Sequence, residues 1–268
     1  MCFLKKVFCR TKYAYKKYKP RPQMLDTVKV SGKKRVQFIA HRGVSGIETE
    51  NTEPAFLAAA ERSYFGIETD LHRTADGNNI LFHDDDTKRM TGEEYTVEQT
   101  DFSTLRAMPL FSTRFYKRVG KRQEDLHMPT LSAYIGICKQ AKKTAVLELK
   151  NPLAREDVAR ICEEIAAEGY LDEVIFISFS FDNLVFVREL YPEQPVQYLV
   201  TDIDEALVEK LQKHRFDVDV AAVALTAKKV KMCHDAGILV NCWTVDEKKD
   251  AKKLIRCGVD FITSNILE

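Results

Sequence analysis

Four short clusters in this sequence combine histidine, carboxylate and basic side chains at spacings suited to phosphoryl chemistry: His41-Arg42-Gly43, Glu68-x-Asp70, His83-Asp84 and Glu148-x-Lys150. Residues two apart on a strand share a face, so Glu68 and Asp70 converge on one side, as do Glu148 and Lys150. Three carboxylates meeting at adjacent strand ends repel one another unless a cation sits between them. An all-oxygen ligand set suits one hard divalent ion, Mg²⁺ or Ca²⁺, better than zinc. Two histidines beside such an ion fit phosphoryl transfer, because imidazole titrates near neutrality and one ring can take a proton while the other gives one. The metal and Arg42 would hold the phosphate oxygens and offset the charge that grows in the transition state. Each piece has an ordinary explanation too: a Glu-x-Asp as a polar strand end, a histidine as a satisfied core or surface residue, Lys150 as a counter-ion. Only their placement on one face gives them joint meaning.

That placement follows from the elements around them. From Val36 onward, short apolar runs alternate with amphipathic segments. The runs are VQFIA (36–40), IETDL (67–71), AVLEL (145–149), VIFIS (174–178), VQYLV (196–200), VDVAAV (218–223), LVNCWT (239–244) and DFIT (260–263). Helical patterns such as EPAFLAAAERS, REDVARICEEIAAEG, FDNLVFVREL, DEALVEKLQKH and EKKDAKKLIRC separate most of them. Such alternation implies parallel strands joined by right-handed crossovers, and the count matches a closed (β/α)₈, or TIM, barrel. Functional groups in these barrels collect at the C-terminal ends of the strands. A ninth run, NILF (79–82), follows the second strand too closely for a parallel crossover, and Asp76-Gly77 between them is a hairpin signal. The sequence therefore predicts an antiparallel excursion over 70–84. The stretch from about 85 to 143 reads as an insertion capping the active-site face.

The near-neutral net charge of +1 hides an asymmetry. Residues 1–35 hold twelve Lys or Arg and one acid, Asp26, whereas the rest holds 29 basic and 39 acidic residues. A basic arm on an acidic body (36–268) points to an anionic partner such as a membrane surface, and a solvated terminus is the plainer alternative. Phe3, Phe8, Tyr13, Tyr15 and Tyr18 interleave with the arm's basic residues, as in an interfacial helix. Nucleic acid is not expected as a partner, because no recognition fold accompanies the arm and the acidic body opposes a broad interface. No apolar run reaches a membrane span, and the start lacks a secretory pattern. Seven scattered cysteines without CxxC spacing fit reduced thiols. The expectation is a cytoplasmic protein, peripheral at a membrane if the arm binds one.

The string IAHRGVSGIETENTEPAFLAAAERSYFGIETDLHRTADGNNILFHD, followed in order by VLELK, NCWTVDE and DFITSN, resembles the glycerophosphodiester phosphodiesterases from about residue 37 to 266. Thr49 and Ser264 stand where many members have proline. The resemblance implies a TIM barrel with a small insertion after the second-strand hairpin. It implies His41 and His83 as the acid–base pair, and Glu68, Asp70 and Glu148 as ligands to one divalent cation. Arg42 would hold the substrate phosphate, with Lys150 nearby, and Glu50 and Asn51 would support the first loop. Trp243 matches an aromatic lining the substrate pocket, although a role plugging the barrel core is equally compatible. Ser178 and Phe179 are secondary candidates for the pocket wall. The implied reaction is metal-dependent hydrolysis of a glycerophosphodiester to sn-glycerol 3-phosphate and an alcohol. The alternative is a lysophospholipase D acting at a membrane surface. A phosphate-binding barrel without chemistry would show erosion of these positions, and every one is intact.

Overall fold

The computed structural model describes residues 26–32, 35–112 and 125–268. Most of the basic arm, with its aromatics and Cys2 and Cys9, and residues 113–124 of the insertion lie outside the described residues. Eight parallel strands make the barrel: β1 (Gln37–Ala40), β2 (Gly66–Arg73), β4 (Thr144–Leu149), β5 (Val174–Ser178), β6 (Val196–Val200), β7 (Asp217–Ala221), β8 (Val240–Trp243) and β9 (Phe261–Ser264). Neighbours pair in the order β8-β7-β6-β5-β4-β2-β1-β9. The ring is nearly closed between β8 and β9 by single bonds: Asp260 N–H to the Val240 carbonyl at 2.9 Å and Val245 N–H to the Thr263 carbonyl at 3.0 Å. All eight predicted runs overlie these strands. The ninth run is β3 (Asn79–Leu81), which pairs antiparallel with β2 through Leu71 and Leu81.

Barrel strands are buried on both faces, so each must be apolar outward and selective inward. On β2 and β4, Ile67, Leu71, Ala145, Leu147 and Leu149 join the large core beneath the helices. The inward face carries a smaller apolar plug, Ile39, Val146, Ile175, Ile177, Leu199 and Phe261, with Trp243 packed on it. The period-2 alternation then forces Glu68, Asp70 and Glu148 inward, above that plug.

Helices α1 (Glu53–Ala60), α4 (Leu131–Ala141), α5 (Arg155–Ala167), α6 (Phe181–Leu190), α7 (Glu205–His214), α8 (Ala227–Asp235) and α9 (Lys248–Cys257) surround the barrel. Several start on a side-chain cap: Thr130, Ser180, Asp204 and Thr226 each accept from a backbone N–H three residues on. Between β3 and α4 lies the insertion, with α2 (Lys88–Thr91), α3 (Phe102–Ala107) and a core of its own formed by Ile80, Phe82, Met90, Val97, Leu105, Leu110, Leu126 and Met128. Helix α4 belongs to the barrel shell rather than to this insertion: Phe56 of α1 packs edge-on against Tyr134, whose hydroxyl donates to the Ile67 carbonyl of β2. Of the arm, Val28 and Val30 run beside the chain's end, where Val28 N–H donates to Ile266 O at 2.9 Å. The five described cysteines are free thiols.

Candidate active site

The pairing register sets Asp70 directly against Glu148 on the adjacent strands β2 and β4, with Glu68 one inward position below. Ligand oxygens of Glu68, Asp70 and Glu148 all lie within 4.8 Å of one another, and all three side chains are buried. Burial and the neighbouring Asp70 push the Glu68 carboxyl well above the ordinary glutamate range. The same two causes push Glu148 up to about 7, against the pull of Lys150. Asp70 goes the other way: burial opposes its charge, but Arg42, Lys150 and His83 outweigh it and hold the carboxyl far below the usual range. Two basic side chains therefore do not saturate the cluster. Three oxygen donors, converging and short of positive charge, fit a hard divalent cation, and the donor set argues against zinc.

Lys150 Nζ sits 2.9 Å from Glu148 Oε1 and 3.4 Å from Asp70 Oδ1. Arg42 reaches the cluster from the first loop: its backbone N–H donates to Glu68 Oε2 at 2.7 Å, and its Nε lies 3.4 Å from Asp70 Oδ2. That loop is tightly wound. Arg42, Gly43 and Asn51 all have positive φ, at 54°, 73° and 50°. For residues other than glycine this backbone persists only when surrounding contacts over-determine it, a situation common at functional sites. Here Asn51 N–H bonds the Arg42 carbonyl, and the Asn51 amide donates to Asp70 Oδ2 at 2.8 Å while accepting from Thr69. Glu50 accepts from Arg42 Nη1 at 2.8 Å. Burial works against Glu50's charge, yet Arg42 and Arg89 hold its carboxyl down at about 2. Gly43 has no room for a side chain: an added Cβ would lie 2.5 Å from the Ala55 carbonyl carbon. Gly43→Ala should thus lower unfolding stability by at least about 2 kcal/mol and disturb the His41-Arg42 geometry. A denaturant midpoint equal to wild type would contradict this.

Both histidines are fixed through Nδ1. His41, just past β1, lies 2.7 Å from Asn265 Oδ1, and Asn265 Nδ2 donates to Asp246 Oδ2 at 2.7 Å. A carboxylate takes only donors, so Asp246 turns the amide nitrogen toward itself and leaves Oδ1 to His41. The Nδ1 atom therefore carries the proton, and Nε2 has its lone pair free. Burial, then the nearby Arg42 charge, lowers the His41 ring to about 4, so it is neutral at physiological pH. His83, at the end of the hairpin, pairs Nδ1 with Asp84 Oδ1 at 2.7 Å. Burial opposes the Asp84 charge, but bonds from His83 and Arg89 keep its carboxyl well below the usual range, so an anion stands against that ring. Nε2 is then the His83 atom left to handle a proton.

Beside His83, Glu148 and Lys150 opens a cavity of about 530 Å³, also lined by Asp84, Asp85, Asp86, Asn151 and Phe179. Phe179 is 49% exposed and meets Trp243 edge-to-face at 5.7 Å. Trp243 is partly buried and meets the cavity wall only through Phe179. Its ring rests on the barrel plug and its Nε1 donates to the Asp219 carbonyl at 3.2 Å. Ser178 does not face the cavity: it is fully buried and donates to the Leu149 carbonyl at 2.6 Å. Asn265, Asp246 and Arg89 were not singled out from sequence. The first two lie in the quoted DFITSN and NCWTVDE strings, at the ends of β9 and β8, where a search of strand ends for polar residues would find them.

The chain has relatives. A glycerophosphodiester phosphodiesterase of Bacillus subtilis is 26% identical over 247 residues, covering 86% of this chain and 84% of its own. One from Caldanaerobacter subterraneus is 27% identical over 230 residues, covering 85% and 93%. Among solved structures, an Oleispira antarctica phosphodiesterase in complex with the product sn-glycerol-3-phosphate superposes with a TM-score of 0.76 at 26% identity, over 85% of this chain and 92% of that one. The model of the glycerophosphoryl diester phosphodiesterase family matches residues 41–267, from the first site histidine to the penultimate residue, and the chain belongs to that family.

Proposed function

We propose that this site hydrolyses glycerophosphodiesters to sn-glycerol 3-phosphate and an alcohol, with Glu68, Asp70 and Glu148 holding one divalent cation. The observation that carries the reading is the convergence of those carboxylates beside two imidazoles, each fixed through Nδ1 by a different partner. When bound, the cation would supply Lewis-acid polarisation of the phosphoryl group and offset its charge. Arg42 and Lys150 grip the phosphate oxygens, a role supported by the position of both against Asp70. Neutral His41 accepts the proton of the attacking hydroxyl at Nε2. His83, backed by the Asp84 anion, delivers a proton from Nε2 to the departing alkoxide. The cavity beside His83 takes the alcohol portion.

The substrate is proposed to be a soluble diester without an acyl chain. Asp26, the first described residue, pairs with Arg62 just past the C-terminal end of α1. That is the end of the barrel opposite the mouth, since α1 runs antiparallel to the strands. No helix among the described residues is long and apolar enough to cross a membrane. A second reading, turnover of lysophospholipids, is favoured by the exposed Phe179 packed on Trp243 at the mouth. A panel of glycerophosphocholine, glycerophosphoethanolamine and lysophosphatidylcholine, with Mg²⁺, Ca²⁺ or chelator, tests both. Release of glycerol 3-phosphate from the soluble diesters, abolished by chelator, is expected. Absence of any diester cleavage with either ion would reject the proposal.

A further inference from the structure

Arg89 lies on α2, in the insertion, and hydrogen-bonds to Asp84 and Glu50 rather than to a proposed metal ligand or histidine, yet it joins the two halves of the site. Its Nε and Nη2 donate to Asp84 at 2.6 and 3.1 Å, and its Nη1 and Nη2 donate to Glu50 at 3.1 and 2.6 Å. One guanidinium thus presents two adjacent edges to two carboxylates. Asp84 is the partner of His83 Nδ1, and Glu50 is the partner of Arg42 Nη1. The chain His83–Asp84–Arg89–Glu50–Arg42 runs unbroken from the hairpin to the first loop. We propose that Arg89 is a positioning residue that fixes the proton-delivering histidine relative to the phosphate-gripping arginine, and that the insertion acts on the site through it. The proposal rests on the reading of His83 and Arg42 given above.

Three physical points support it. First, the bonds are doubly bidentate, a geometry that a planar guanidinium satisfies and a lysine ammonium does not. Second, Glu50 and Asp84 are only 19% and 25% exposed, so this is a network at a partly buried site rather than an isolated surface pair of little worth. Third, removing Arg89 would leave the two carboxylates without their shared cation. Each would then be free to swing from its own partner, and small misplacements of catalytic groups cost rate out of proportion to their size.

Arg89→Ala and Arg89→Lys are assayed as full-length chains with glycerophosphocholine at saturating Mg²⁺. The expected result is a fall in kcat of about ten- to a hundredfold in both, with an unchanged Mg²⁺ concentration for half-activation and with both variants still folded at the assay temperature, although they melt below wild type. Because the Arg89 side chain is 42% exposed, low-millimolar guanidinium should restore part of the lost kcat in Arg89→Ala, where sodium chloride at equal ionic strength does not. A second readout needs no turnover: in ¹H–¹⁵N spectra, the His83 Nδ1 proton, assigned by its loss in His83→Gln, should shift or broaden in Arg89→Ala. Wild-type kcat in Arg89→Lys, a loss explained by lowered melting temperature without guanidinium rescue, or an unmoved His83 signal would each overturn the proposal. The imidazole signal is read whether or not the diester is the substrate, so an inactive wild type rejects only the functional reading.

Discussion

His83→Ala is expected to lower turnover of glycerophosphocholine at least about a hundredfold, the scale of a lost general acid, and to recover most of that rate on an aryl glycerophosphodiester. The contrast follows from leaving-group chemistry: a choline alkoxide needs a proton as it departs, whereas a nitrophenolate leaves unprotonated. His41→Ala should lose a similar factor on both substrates, because the proton it accepts comes from the attacking hydroxyl whichever group leaves. The division of labour rests on the partners. Asn265 leaves His41 as a neutral ring with a free Nε2, held down at about 4 by burial and by Arg42, whereas Asp84 places an anion on His83. If the aryl substrate rescued His41→Ala instead, the two roles would be exchanged. If neither variant lost more than a few-fold on the choline ester, the acid–base reading would fail altogether. Asn265→Ala should weaken His41 without touching the leaving-group dependence, since it frees the ring that the Asp246–Asn265 pair now orients.

The parts of this site that could be read from sequence are those set by strand periodicity. A parallel barrel strand is buried on both faces and reads as a nearly continuous apolar run, so Glu68, Asp70 and Glu148 stand out as charges where none are tolerated without purpose. Their two-residue spacing then fixes the side they share, and the register of β2 on β4 does the rest. The hairpin was legible for a similar reason: Asp76-Gly77 leaves too few residues for a crossover, and Gly77 indeed takes φ 75°. What chain order hides is partnership across the barrel. His41 and Asn265 are 224 residues apart, and no periodicity links them. Their contact exists because β1 lies beside β9 in the closed ring, which is known only once the topology is built. Arg89 was hidden differently: its importance lies in a fork between two carboxylates, and a Lys-Arg pair on a short insertion helix carries no mark of that.

The carboxylate cluster should make cation binding visible in stability as well as rate. In the cation-free protein, Glu148 titrates at about 7, pushed up by burial and Asp70, against about 4.5 for the free side chain. As pH rises from about 4.5 to 7 the unfolded chain releases this proton while the folded chain keeps it, so folding stability from this group declines across that window. Glu68, displaced in the same direction, adds to the decline. Asp70, displaced downward, acts oppositely and only at the acidic end, where protonation removes its contribution. The His41 ring, held at about 4, works the other way as the unfolded ring loses its proton toward 6.5, so the comparison is with Glu148→Gln. Between pH 5 and 7.5 the wild-type apoprotein should lose more melting temperature than that variant, and Mg²⁺ or Ca²⁺ should restore the difference. Saturation at about a hundred times Kd corresponds to about 2.7 kcal/mol. Glu148→Gln removes one of the crowded charges, so it should melt above wild type without cation at pH 7.5 and gain less when cation is added. Its activity, like that of Glu68→Gln, should then need at least about tenfold more cation for half-activation. An apoprotein whose melting temperature ignores both pH and divalent ions would mean that these three side chains share no ion.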